Sequence, residues 1–215
     1  MRSLKPEITM GVLFVILPLL FLALGNPALR FIIPALLVVS AWCVASFSKD
    51  SRAALLDFGP VKKHGARIAR RFVVGGLAFT AFTYALAPDY FLVLPRHNPR
   101  LWLLILVLYP LLSVYPQEVI YRAYFFQHAA RILPGVRVPW LLALNVAIFG
   151  FAHIIFGNLW APILSAAGGL LFATTYLKSR SLICAAFEHA LWGNLIFTIG
   201  LGPLFAGGSV ANLLK

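Results

Sequence analysis

The chain is poor in charge, and above all in acid. Only 11% of its 215 residues are charged, with 6 Asp and Glu against 18 Lys and Arg. Ordinary globular domains carry about 25% charged residues. Hydrophobic residues reach 61% and the mean hydropathy is +0.91. A soluble fold of this size cannot hide that much apolar surface, and the same figures exclude intrinsic disorder, collagen and a coiled coil. Cysteine is scarce as well. Cys43 and Cys184 both lie in apolar stretches, which is neither a disulfide framework nor a zinc-finger spacing. Internal repeats, low-complexity runs and aromatic-basic grooves are missing, so the net charge of +12 does not read as nucleic-acid binding. What remains is an all-α, polytopic transmembrane helical bundle.

Seven apolar stretches carry that bundle: 8–24, 29–47, 72–87, 101–133, 140–156, 160–177 and 182–199. Pro110 and Pro116 interrupt the fourth, which is either one broken helix or two segments. About seven spans are therefore expected, with six to eight as bounds. Pro116-Gln117-Glu118 has the look of a helix start, with proline first and an acid in the first turn. Ala23-Leu24-Gly25 faintly resembles a signal-peptidase site. The first stretch outruns a signal core of about 7–15 residues, and a second follows at once, so a retained helix is expected. Residues 1–100 read as N-terminal transmembrane helices with a basic connector at 48–71. Residues 101–215 read as a helical core ending in a glycine-rich tail, within one membrane domain overall.

Basic residues set the orientation. With seven crossings and the N-terminus inside, most fall on the inner face: Arg2, Lys5, Lys49, Arg52, Lys62, Lys63, Arg67, Arg70, Arg71, Arg131, Arg137, Lys178 and Arg180. Arg30, Arg96, Arg100 and Lys215 fall outside. The expectation is a multi-pass protein of a bacterial inner or plasma membrane, N-terminus cytoplasmic, its basic residues against anionic lipid headgroups. Trp102, Trp140 and Trp160 stand at span starts, where an interfacial aromatic belt places them.

An ionisable residue at mid-membrane costs about 2.5–3.5 kcal/mol even on the gentle insertion scale, so the intramembrane polar residues are informative. They are Glu118, Arg122, His128, His153, Glu188 and His189, with Gln117, Asn145 and Asn194. Glu118 and Arg122 share a helix face at a four-residue spacing. They form either a neutralising ion pair or a charged carboxylate basic enough to take a proton from water. Phe149 and His153 also share a face. Polar groups on three separate spans should avoid lipid and converge on an interior cavity. Glu118, His153 and His189 could there hold a divalent metal with one position open for water. Without metal, Glu118 would deprotonate water, Arg122 would orient Glu118 and His153 would position the water. His189 and Asn194 would donate to the oxyanion. The metal-free scheme, with no cofactor, is preferred, and the linear motif His-Glu-x-x-His is absent. Glu188 is expected to pair near its span start, with Arg180 as one choice. His128 is expected near the interface, and His64 and His97 in solvated loops. Ala166-Ala167-Gly168-Gly169 and Gly75-Gly76 read as close helix packing rather than phosphate binding.

These motifs resemble the CAAX protease and bacteriocin-processing (CPBP or Abi) family, glutamate-dependent intramembrane proteases long labelled metalloproteases. Its Glu-Glu-x-x-x-Arg motif is similar to Gln117-Glu118-Val119-Ile120-Tyr121-Arg122. Its Phe-x-x-x-His motif matches Phe149 to His153. Its third motif, His with Asn or Asp four residues on, is similar to the segment from His189, where Gly193 holds that offset and Asn194 follows. The resemblance covers roughly residues 101–199. It implies hydrolysis of a peptide bond in a membrane-embedded or membrane-proximal substrate: a prenylated CAAX peptide, a leader peptide or a sorting-signal tail. In the family the first Glu is the usual water-activating base, and Gln117 stands there. An amide orients water but cannot accept its proton. Gln117 thus leaves Glu118 as the base, or favours a non-catalytic scaffold, immunity or partner-binding protein. A small transporter is a third reading, without the inverted repeat it would need. A π-bulge near Gly193 would bring Asn194 back into line.

Overall fold

A computed structural model describes residues 5–205. Arg2, Lys215 and the end of the glycine-rich tail lie outside the described residues. Lipid offers no hydrogen bonds, so each apolar stretch satisfies its own backbone as a helix. The helices are α1 (Pro6–Leu24), α2 (Asn26–Ser46), α3 (Val61–Leu86), α4 (Pro99–Ile132), α5 (Val138–Phe156), α6 (Trp160–Ser179) and α7 (Leu182–Thr198). Among the described residues there is no strand. All seven apolar stretches are helical. Five helices are long and apolar enough to cross a membrane, or six if α3 and Pro88–His97, bent by 114° from it, make one span. Helix α3 starts earlier than its apolar stretch because the basic residues Lys62 to Arg71 coil with it. Helix α7 is apolar but shorter, at 17 residues.

The proline-broken region is one helical run of 34 residues, not two segments. Its two prolines are absorbed by changes of winding. Pro110 opens a π-helical turn, Pro110–Val114, and Pro116 sits in the α-helical turn Tyr115–Glu118. A second π-helical turn, Val119–Tyr124, follows. Pro110 has no N–H to offer the Leu106 carbonyl four residues back. Helix α7 supplies a donor instead, since Asn194 Nδ2 donates to Leu106 O at 3.2 Å. Near the start of α4, Trp102 Nε1 donates to Thr198 Oγ1 at 3.0 Å. These two bonds fasten α4 alongside α7.

Helix α4 is the hub. Every residue from Val119 to Phe125 is buried, among Phe14 of α1, Cys43 of α2 and Phe47 just after it, Leu141 and Phe149 of α5, and Phe172 of α6. A stretch of helix enclosed in this way can carry charge only in paired form. Small residues bring α5 and α6 close. A Cβ added to Gly150 would come within 2.9 Å of Ala166, and one added to Gly169 within 2.9 Å of Phe149. The alanine–glycine run of α6 therefore serves packing. The outer surface is apolar, with Val38, Val74, Leu77, Val107 and Leu111 all exposed.

Candidate active site

Glu118 lies just before the second π-helical turn of α4, and Arg122 within it. Both side chains are 0% exposed. Glu118 Oε2 faces Arg122 Nε at 3.3 Å. Arg122 Nη1 donates to Asn145 Oδ1 at 2.6 Å, and Asn145 Nδ2 donates to the Tyr121 carbonyl at 2.6 Å. The guanidinium also lies 4.6 Å from the Phe149 ring centroid. Asn145 thus joins α5 to the ion pair. Glu118 Oε2 and Arg122 Nε and Nη2, all buried, make no hydrogen bond among the described residues.

His189 Nδ1 meets Glu118 Oε1 at 2.9 Å, across 71 positions of sequence. The imidazole stacks on Phe172 at 4.3 Å and 13° and meets the Phe149 ring edge-on at 5.7 Å. Its other nitrogen, Nε2, faces Tyr109 Oη at 3.4 Å. An ionised carboxylate only accepts, so the proton of neutral His189 sits on Nδ1. Nε2 then carries the lone pair and the Tyr109 hydroxyl donates to it. In this state His189 presents a basic nitrogen. The oxyanion-donor role expected from the sequence requires a proton on Nε2, which the imidazolium form carries.

The remaining expected residues lie around this pair. His153 occupies the 3-10 turn ending α5, which closes at Gly157 with φ +68°. Its Nδ1 donates to the Phe149 carbonyl at 2.7 Å, leaving Nε2 as acceptor. The Phe149 ring touches both histidines, with His153 4.9 Å away by centroid. Gln117 turns back along its own helix, Nε2 donating to Ser113 Oγ at 2.8 Å. Asn194 spends its amide on the Leu106 carbonyl. Helix α7 runs regularly through Gly193, so the bulge that would realign Asn194 does not form there. Its place beside His189 is taken by Tyr109, whose ring covers Gly193. Among the described residues no three His, Cys, Asp or Glu side chains are grouped to hold a metal ion. Glu118 and His189 meet, and His153 does not join them.

Three expectations change. Glu188 pairs with Arg71 of α3, not Arg180, at 3.0 Å to Nε, and accepts from Thr175 Oγ1 at 2.5 Å. It faces α3 and α6 across the bundle rather than its own helix start. His64 lies within α3, buried against Arg67, not in a solvated loop. His97 is exposed, as expected, but ends the short helix Val93–His97 rather than lying in a loop. His128 stacks on Tyr124 at 4.0 Å and bonds its carbonyl, away from Glu118. Tyr109 and Phe172 escaped the sequence reading, because an aromatic residue in an apolar stretch gives no signal of its own. Asn145 carried one, as an amide in an apolar run.

Residues 99–195 match the family model described as Type II CAAX prenyl endopeptidase Rce1-like. The match bears out the resemblance to the CAAX protease and bacteriocin-processing family for this part of the chain. No curated protein and no solved structure matches the chain.

Proposed function

From this family match, we propose that the protein is an intramembrane peptidase that activates water at the Glu118–His189 pair. The observation that carries the reading is the 2.9 Å bond between Glu118 Oε1 and His189 Nδ1, buried between α4 and α7. Once the Tyr109 hydroxyl turns from Nε2 to the incoming water, His189 Nε2 takes the proton of that water and later passes it to the leaving amine. Glu118 fixes the proton on Nδ1 and balances the charge of the imidazolium. Arg122 balances the charge of Glu118 in a dry site, with Asn145 holding the guanidinium. His153, with Nε2 free to accept, positions the water. Sharing the proton transfer with His189 removes the need for a carboxylate at Gln117.

The substrate in this reading is a peptide embedded in or close to the membrane, and no cofactor takes part. The protein sits in a bacterial inner or plasma membrane with its N-terminus cytoplasmic. Lys62, Lys63 and Arg70 at the exposed start of α3 rest on anionic headgroups. The test compares peptide termini in membranes of host cells carrying the native chain, Glu118→Gln or His189→Ala at matched expression. Ends present with the native chain and missing with both variants are expected. An identical set of ends in all three, with a phenotype still tied to Glu118, refutes hydrolysis and favours a scaffold that has kept the fold.

A further inference from the structure

We infer that Tyr109 is the positioning residue of His189, seated in the space that Gly193 leaves open; this rests on the peptidase reading above. Glu118 holds one side of the imidazole through Nδ1, and Phe172 holds one face. The side that must meet water, Nε2, has one side-chain hydrogen-bond partner among the described residues, the Tyr109 hydroxyl at 3.4 Å. In the resting site that hydroxyl sets where the ring points and marks Nε2 as the acceptor, yielding the lone pair when water enters.

The seat is built from both helices. A Cβ at position 193 would lie 2.5 Å from Tyr109 Oη and 2.7 Å from Cζ, so the tyrosine fills the volume a side chain there would occupy. Phe197, one turn further along α7, meets the Tyr109 ring edge-on at 5.2 Å. The bond from Asn194 to Leu106 clamps α4 to α7 beside it. Glycine inside a helix costs about 1 kcal/mol relative to alanine. At position 193 any side chain would push Tyr109 off His189. The pair is thus one device, a phenol reaching in from α4 where α7 has given up its own side chain.

Tyr109→Phe keeps the ring in its seat and removes the donor alone. On a peptide cleaved by the native enzyme, kcat is expected to fall about tenfold, the worth of one hydrogen bond, with KM within about twofold. In histidine-labelled protein the ¹⁵N resonance of His189 Nε2 should move. The reciprocal variant, Tyr109→Ala with Gly193→Asn, places a carboxamide where the hydroxyl stood. It should exceed both of its single variants in rate by about tenfold. Native kcat in Tyr109→Phe, or a change confined to KM, overturns the inference. So does a double variant no faster than Tyr109→Ala. If the native chain cleaves no peptide, the peptidase reading fails by itself and the ¹⁵N measurement decides the contact. A His189 signal unmoved by Tyr109→Phe then overturns it.

Discussion

Glu118→Gln preserves shape and removes one charge, which strands Arg122. That guanidinium is 0% exposed and would keep the Asn145 side-chain carbonyl at 2.6 Å, the Tyr121 carbonyl at 3.5 Å, the face of Phe149 and the neutral amide oxygen of the introduced glutamine. Breaking a buried ion pair from one side costs about 3–5 kcal/mol. The cation–π contact and the remaining amide oxygen recover part of this, so a loss of about 2–4 kcal/mol is expected. Arg122→Met strands the carboxylate instead, with His189 as its one donor, at a cost of about 3 kcal/mol. Glu118→Gln with Arg122→Met buries no net charge and should return to within about 1 kcal/mol of the native chain. The two positions are therefore coupled by about 4 kcal/mol or more. Reversible unfolding in mixed detergent micelles measures all four forms. Single costs that simply add in the double variant would refute the claim that Arg122 is present to neutralise Glu118. Peptide cleavage should remain absent throughout, so the double variant separates restored stability from lost chemistry.

Asn194→Leu removes the donor to Leu106 without touching Glu118 or His189. It should cost about 1 kcal/mol of stability while cleavage persists, and an inactive but stable Asn194→Leu would return Asn194 to the chemistry. Gln117→Glu places a second carboxylate beside Glu118 in buried surroundings. It is expected to destabilise by about 1–3 kcal/mol and to slow cleavage; a faster enzyme would mark Gln117 as a lost base. Arg71→Ala strands Glu188, which is 0% exposed and keeps Thr175 as its remaining partner. Because Arg71 is itself 29% exposed, water compensates in part and a loss of about 1–3 kcal/mol is expected by unfolding. Arg71→Lys should recover part of it.

The pairing of Glu118 with Arg122 was legible because a four-residue step fixes a helix face with no knowledge of neighbours. The seven helices were legible because an apolar stretch in lipid must satisfy its own backbone, although only five or six of them, not the expected seven, have the length and apolarity of a span. Partners across the bundle were not. Glu188 finds Arg71 at a distance of 117 positions, and only the docking of α3 on α7 reveals it. Asn194 looked like chemistry because it follows a histidine. Its work is set by Pro110, which leaves a carbonyl short of a donor on a different helix. Tyr109 was invisible for a subtler reason, since what makes it useful is a missing side chain at Gly193. The broken fourth stretch stayed open in the sequence because proline marks a fault in a helix without saying whether the winding absorbs it.

Helix α4 has 34 residues, about 50 Å of helix, in a hydrocarbon layer about 30 Å thick. It must lean or protrude, and Glu118 sits a little beyond its midpoint. The lean is set partly by the lipid, because a thicker bilayer stands a long helix more upright. The depth of Glu118 and His189 then varies with the membrane around them. The chain carries a ruler whose zero mark belongs to its host membrane, and on the proposed peptidase reading two membranes of different thickness would shift the bond cut in one substrate.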